Sequence, residues 1–394
     1  MGLGGAFAAL ADDATAAFAN PAGLIQLIEP ELSLETRYAS RTTRFVQGGR
    51  VSGEASGEGV DTVNGLRFGT DDRTQVGVPF YSIVYPVKRW SLALYRHTWA
   101  DFELSSRIDG LFGVEEGEDV RAGDIDLQSR VEVVNTGLAA AFKISERWSL
   151  GLGLVYYEAT MKSFATEFTQ PEELFYEPSA FSAEQLDTTY SHLADNAEVS
   201  LHAGVLWRAS PQWSVGGYYR QGPKLKLRVV ETAGPADGDV PDGTIVLDET
   251  SPLRFPDVYG AGAAFRSAGG AWTIACEWSR VLYSSITEGL DVDVLDPQQV
   301  QLSDGNEVHL GLEYVFVRSK PVVGVRFGAW LDPAHRVVAP PSSDIFERAI
   351  FRGGQDELHL TGGLGLVFEK VQIDLGGDFS DVARIASLSI VYRF

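Results

Sequence analysis

The chain has 394 residues, 44% of them hydrophobic, with 54 acidic against 32 basic side chains and a net charge of −22. That charge argues against nucleic acid and anionic headgroups as partners, and the absence of any run of about 18 apolar residues excludes a helical membrane span. A single cysteine, Cys276, rules out an internal disulfide framework.

The chain starts at Met1-Gly2-Leu3 with no charged and apolar leader, which reads as a mature protein carrying an added Met. Residues 1–28 are rich in Ala and Gly, and Phe7, Leu10, Ala14 and Phe18 fall at helical spacing. Asp12 or Asp13 can cap a second short helix, Asn20-Pro21 ends it and Gly23 supplies a turn. Helices this short need a surface to pack on.

From residue 29 onward the pattern changes to strict alternation. Four short polar turns lead directly into Trp90, Trp148, Trp213 and Trp272, and every second residue after each Trp is apolar, as in Trp148, Leu150, Leu152, Leu154, Tyr156. A period of two is a β-strand with one face in an apolar medium. Trp beside the turn is where the aromatic girdle of a membrane barrel sits. Short turns fall near Val87–Arg89, Ser145–Arg147, Ser210–Gln212, Ala268–Ala271, Arg318–Pro321 and Glu369–Lys370. Longer acidic or Pro-rich connections lie near 51–73, 109–123, 170–195, 232–252, 289–305 and 334–354, and a last tight one contains Asp381.

These connections predict an all-β membrane protein, a transmembrane barrel of about fourteen antiparallel strands. Residues 29–394 form the barrel and residues 1–28 a small helical hatch inside it. An even strand number brings both ends to one side, and short turns are periplasmic in bacterial outer-membrane barrels, so both termini are expected there. The last strand alternates Ala386, Leu388, Ile390, Tyr392 and ends on Phe394. Between the apolar residues of other strands lie Glu277, His309, Glu313, Gln372, Asp374 and Asp378. They would line the lumen, since burial in lipid is prohibitive, either as a hydrated wall or as a polar track that orients a ligand headgroup.

The N-terminal stretch GLGGAFAALADDATAAFANPAGL, with its Asn20-Pro21-Ala22 triplet, resembles the hatch of the FadL/TodX-type outer-membrane transporters of long-chain fatty acids and aromatic hydrocarbons. Later strands such as EVHLGLEYVF and the terminal LSIVYRF resemble that family too. The resemblance implies a hatch-plugged monomeric barrel that takes up hydrophobic small molecules passively and releases them sideways into outer-membrane lipid. Within that scheme Met1–Gly5, Leu3 foremost and Gly4 with it, are the expected gate, because Gly-rich backbone moves readily and can approach a ligand closely. Phe7, Leu10 and Phe18 would touch either the lumen wall or the ligand. A sideways opening requires broken alternation. The strand after Trp90 turns polar on its apolar face at Arg96 and Thr98, so a bulge is expected between Arg96 and Asp101. Pro79, which cannot donate to a ladder, is a second candidate. Either is also compatible with a plain bulge at the rim.

The six histidines have no metal-ligand spacing, so no metal or cofactor is expected. Asp237-Gly238-Asp239 and Asp291-Val292-Asp293 read as solvated loops rather than Ca²⁺ sites. Gly151-Leu152-Gly153 and Gly260-Ala261-Gly262 lie inside strands and are not phosphate cradles. No Ser/His set sits at one depth on the lipid face, which argues against an enzyme. The competing class is a PorV-type surface barrel that docks partner proteins without transporting small molecules.

Overall fold

The computed structural model describes residues 2–236, 241–288 and 300–394. Its β-segments close into one antiparallel barrel of fourteen strands. They are β1 (Glu31–Arg50), β2 (Leu66–Val87), β3 (Trp90–Ile108), β4 (Asp124–Lys143), β5 (Trp148–Phe168) and β6 (Leu186–Arg208). Two interrupted strands follow, β7 (Trp213–Arg220, resuming at Lys224–Ala233) and β8 (Ile245–Arg254, resuming at Val258–Arg266). The last six are β9 (Trp272–Val281), β10 (Gly305–Phe316), β11 (Val322–Asp332), β12 (Glu357–Val367), β13 (Val371–Phe379) and β14 (Ala383–Arg393). The barrel closes where β1 pairs with β14, Leu32 opposite Tyr392 and Leu34 opposite Ile390.

The Trp-led strands begin where the alternation places them. Along β5 exposure alternates residue by residue, with Leu150, Leu152 and Leu154 outward and Ser149, Gly151 and Val155 inward. Aromatic pairs ring the short-turn end across the strands: Trp148 stacks on Trp207 at 5.4 Å, Trp90 meets Phe142 at 4.6 Å and Trp272 meets Tyr314 at 4.5 Å. Such rings suit a membrane–water boundary, where one end of the side chain is wet.

The wall is uneven in height. Strands β9–β14 have 9 to 12 residues, close to what a membrane-spanning β-strand requires. Strands β1–β6 have 19 to 23. Their extra length rises on the long-loop side, and its outer face mixes polar side chains with Phe68, Val76 and Phe164. Three connections are therefore shorter than the sequence suggests: 66–73, 186–194 and 245–252 are strand, not loop. In these stretches the outer face no longer meets a uniformly apolar medium and the period-two signal fades, although the inner face still carries Ala194 and Leu247.

The long-loop end is roofed. Residues 111–121 form a small hairpin, Leu111–Glu115 paired with Glu118–Arg121. The short helix α1 (Ile345–Ile350), capped by the Asp344 carboxylate on the Phe346 and Glu347 N–H groups, lays Phe346 and Ile350 against Leu111, Ile108 and Val46. Arg50 is buried beneath, bonded to Asp61 at 2.8 Å and to Asp119 at 2.9 Å.

Candidate functional site: the lumen and its N-terminal segment

The N-terminal segment runs inside the barrel, because residues on opposite walls hold it. On the β9–β12 side, the Phe7 and Ala8 N–H groups donate to the Glu277 carboxylate at 2.8 and 2.6 Å, and Tyr218 donates to its other oxygen at 2.8 Å. Gly4 N–H donates to Thr361 Oγ1 at 2.9 Å, and the Gly4 carbonyl meets His309 Nδ1 at 2.7 Å. On the β5–β7 side, Ser149 donates to the Ala22 carbonyl at 3.0 Å and Ser214 to the Ala9 carbonyl at 2.8 Å.

The Asn20-Pro21-Ala22 triplet has a physical reading. Asn20 is fully buried, donates to the carbonyls of Ala8 (2.7 Å) and Val205 (3.2 Å), and accepts from Ala22 N–H (3.2 Å). One amide thus ties two turns of the segment to β6. Asn20 also ends a four-residue helix, Ala16–Ala19, while Pro21 opens the 3-10 turn Pro21–Gln26. Gly151 and Gly204 face this triplet so closely that a Cβ on either would collide with Pro21, Ala22 or Asn20. The helix cap differs from expectation: Thr15 takes the N-cap position, and Asp13 accepts from Thr15 N–H at 2.8 Å. Gly23 lies within the 3-10 turn, packed on Ala11.

The two sides of the lumen differ in chemistry. Along β9–β14 the inward carboxylates have protein partners. Arg326 bridges Glu313 at 2.8 Å and Asp374 at 2.6 Å, and Gln372 donates to Asp374 at 2.7 Å. Asp378 bonds His359 at 2.7 Å and Trp330 Nε1 at 3.0 Å. The polar residues that the alternation places inward are therefore partnered within separate groups, and Gly4 bonds Thr361 and His309 on the same side.

Along β3–β8 apolar side chains form two inward clusters, with Asn135, His192 and His202 as buried polar residues on the same strands. Met161, Ala194, Leu227, Val229 and Leu247 make an upper cluster, which continues through Leu253 into Trp99, Val133, Tyr157, Leu225 and Phe255. Val155 to Met161 alone covers about 20 Å at roughly 3.3 Å per residue. The column ends on Phe18. Its ring contacts His97 at 4.7 Å, His202 at 5.4 Å and Tyr95 at 6.3 Å between centroids, with the Arg220 guanidinium 5.0 Å from its centre. Tyr95 Oη, His97 Nδ1 and Arg220 Nε are buried there without hydrogen-bond partners, and Arg220 has no ion pair among the described residues. Phe7 and Leu10 pack on the wall: Leu10 lies with Ala264 and Ala275, and Phe7 touches both the Leu10 and the Phe18 groups.

Sequence reading missed this ring. His97, His202 and Arg220 are far apart in the chain, and only barrel register brings them together. The available signal was a polar residue at an inward position of an otherwise apolar strand.

Beside Phe18 the wall changes. The β2–β3 ladder runs from Val87 opposite Trp90 to Phe80 opposite His97 and stops there, although β2 continues to Leu66 and β3 to Ile108. Above that point the register of β3 against β4 shifts between Thr98 and Ala100, making Trp99 an extra residue. The register of β1 against β2 shifts opposite Val78 and Pro79. Side chains span the separated strands higher up: Arg73 reaches Glu103 at 3.4 Å, and Arg41 donates to the Asp101 carbonyl at 3.0 Å. A second interruption, at Gly222-Pro223 and Phe255-Pro256, is stitched by backbone, with Phe255 N–H donating to the Pro223 carbonyl at 3.0 Å. Arg96 points outward and binds Thr136 at 3.1 Å and Glu158 at 3.0 Å. No group of potential metal ligands occurs among the described residues. Asp237 and Asp239, like Asp291 and Asp293, lie outside the described residues.

A closed barrel with lipid-compatible outer rows, here with a polypeptide segment in its bore, is a membrane β-barrel. The family model described as outer membrane protein transport protein (OMPP1/FadL/TodX) matches residues 1–308, and the chain belongs to that family. The fold is similar to that of the CymD monoaromatic hydrocarbon channel (17% identity, TM-score 0.63, covering 100% of this chain and 96% of that one). It is likewise similar to a Pseudomonas aeruginosa FadL homologue (14%, TM-score 0.61, 99% and 96%). The Ralstonia pickettii toluene transporter TbuX shares it too (13%, TM-score 0.57, 100% and 97%). No curated protein matches the chain in sequence.

Proposed function

We propose that this outer-membrane barrel carries hydrophobic small molecules, long-chain fatty acids or similar hydrocarbons, inward by passive transfer. Residues 1–28 act as the hatch, and the short-turn end with both termini faces the periplasm. The molecule enters under the roof, descends the apolar column of β3–β8 and lodges against Phe18. Displacement of Phe18 then lets it pass His97 and Trp99 to the break between β2 and β3, bounded by Pro79, Thr98 and Asp101, and leave into lipid. The driving force is removal of apolar surface from water, about 0.8 kcal/mol per buried methylene, so no energy source or cofactor is required. The carrying observation is the apolar column that ends on Phe18 beside the wall break.

Leu3 and Gly4 have a different part in this scheme. The Gly4 backbone bonds to Thr361 and His309 make this stretch an anchor on which the Phe18 region turns. The working unit in this scheme is a single barrel. The test is uptake of radiolabelled hexadecanoic acid and of toluene into vesicles containing the purified protein. Faster uptake than by empty vesicles is the expected result; equal rates for both compounds would refute the reading.

A further inference from the structure

Two rows of outward side chains lie directly below the last rung of the β2–β3 ladder. Register places Ile390, Leu34, Tyr81 and Arg96 in one row, and Tyr392, Leu32, Ile83 and Leu94 in the next. The apolar members are all exposed, at 40–47%. Between them lies a half-open hollow of about 650 Å³ across β14, β1, β2, β3 and the Thr136 position of β4. That volume is in the range of pockets that hold small ligands. A barrel exterior meeting only bulk lipid has no need of such a hollow.

The hollow and the wall break share an edge. Tyr81 opposite Arg96 is the rung next to Phe80 opposite His97, where the ladder stops. On the inner face of that same edge are His97 and Phe18, 4.7 Å apart. Polar side chains on a lipid-facing surface are costly. Arg96 is nevertheless placed at the upper end of the hollow and kept there by Thr136 and Glu158.

We propose that this hollow is an exit groove, whose occupant is the transported molecule itself after it has crossed the wall between β2 and β3. Leu34, Tyr81, Ile83 and Leu94 take its apolar body. The Arg96–Glu158–Thr136 cluster runs from β3 toward β4 and β5 and fences that flank, leaving the groove open to the β2–β3 break above and to the membrane below. The inference rests on the transport reading above, and adds to it a binding site on the outside of the barrel.

The experiment uses the full chain in lipid vesicles, with radiolabelled hexadecanoic acid as probe. Leu94→Trp and Ile83→Trp fill the groove without touching the lumen, and Leu310→Trp, on the outward face of β10, is the control. Retained resistance of the folded barrel to unfolding in cold detergent verifies each variant. The groove predicts at least fivefold slower uptake by Leu94→Trp and Ile83→Trp, unchanged probe binding in detergent, and wild-type uptake by Leu310→Trp. Wild-type uptake by both groove variants overturns the groove and leaves the transport reading standing. A wild-type protein that takes up nothing overturns both. A membrane phospholipid retained by the wild type and lost from Leu94→Trp, with uptake unaltered, also overturns the proposal, since the groove would then hold resident lipid.

Discussion

The interior of this barrel is two surfaces facing each other. The β9–β14 side presents carboxylates, and each of Glu277, Glu313, Asp374 and Asp378 has a specific partner. The β3–β8 side presents Leu, Val, Met and aromatic side chains, and its polar ring around Phe18 has atoms with no partner at all. Satisfied polar networks rigidify a structure, whereas unsatisfied buried groups are costly and invite a ligand or rearrangement. The difference separates a side whose polar groups are saturated from one whose polar ring is left open. The N-terminal segment is bonded to the first side at residues 2–8 and to the second at Ala9, Asn20 and Ala22, and Phe18 is the ring it presents to the unpartnered groups.

Substitutions on the two sides should therefore behave unequally. Arg326→Met leaves Glu313 and Asp374 without their cation and should cost about 3–5 kcal/mol, seen as a lower thermal unfolding midpoint. A midpoint unchanged from wild type would mean that the network is not structural. Phe18→Ala removes a half-buried ring and should cost about 2 kcal/mol, less than for a fully buried Phe. Its uptake rate should rise several-fold; a fall would show that Phe18 shapes the site rather than blocks it.

Arg220→Met, by contrast, breaks no ion pair among the described residues. Its stability should stay within about 1 kcal/mol of wild type, while the preference between hexadecanoic acid and toluene shifts toward toluene. A large loss of stability would place Arg220 with Arg326 and erase the comparison.

The smallest effect belongs to the roof. Arg50 holds the Asp119 carboxyl down at about 2, with help from the Tyr176 hydroxyl. A depressed folded pKa stabilises the roof above the unfolded value near 3.8, and the contribution is lost as pH falls toward 2. Hydrogen exchange in 111–121 should accelerate over that window in the wild type and show no such dependence in Asp119→Asn.

How much of this could be read from the chain follows the solvent. Where lipid bathes one face of a strand, as at Trp148–Tyr156, each residue declares its side and the strand starts are legible to the residue. The same alternation identifies Glu277, Asp374 and Asp378 as inward. Where strands stand above the membrane, as in 66–73 and 245–252, the contrast is lost and strand reads as loop. The Asn20-Pro21-Ala22 triplet stands out as a motif, yet its reason, one amide serving Ala8, Ala22 and Val205, needs the fold. The ring around Phe18 was hidden because its members come from separate strands.

The claim that the apolar side carries the cargo is tested most directly by photolabelling. A diazirine-bearing hexadecanoic acid would be bound to the protein in detergent, irradiated, and its adducts mapped by mass spectrometry. Adducts at Trp99, Leu225, Leu253 and Phe255, diminishing with unlabelled competitor, are the predicted result. Competable adducts at Trp330, His359 or Arg326, with the β3–β8 side unlabelled, would contradict it.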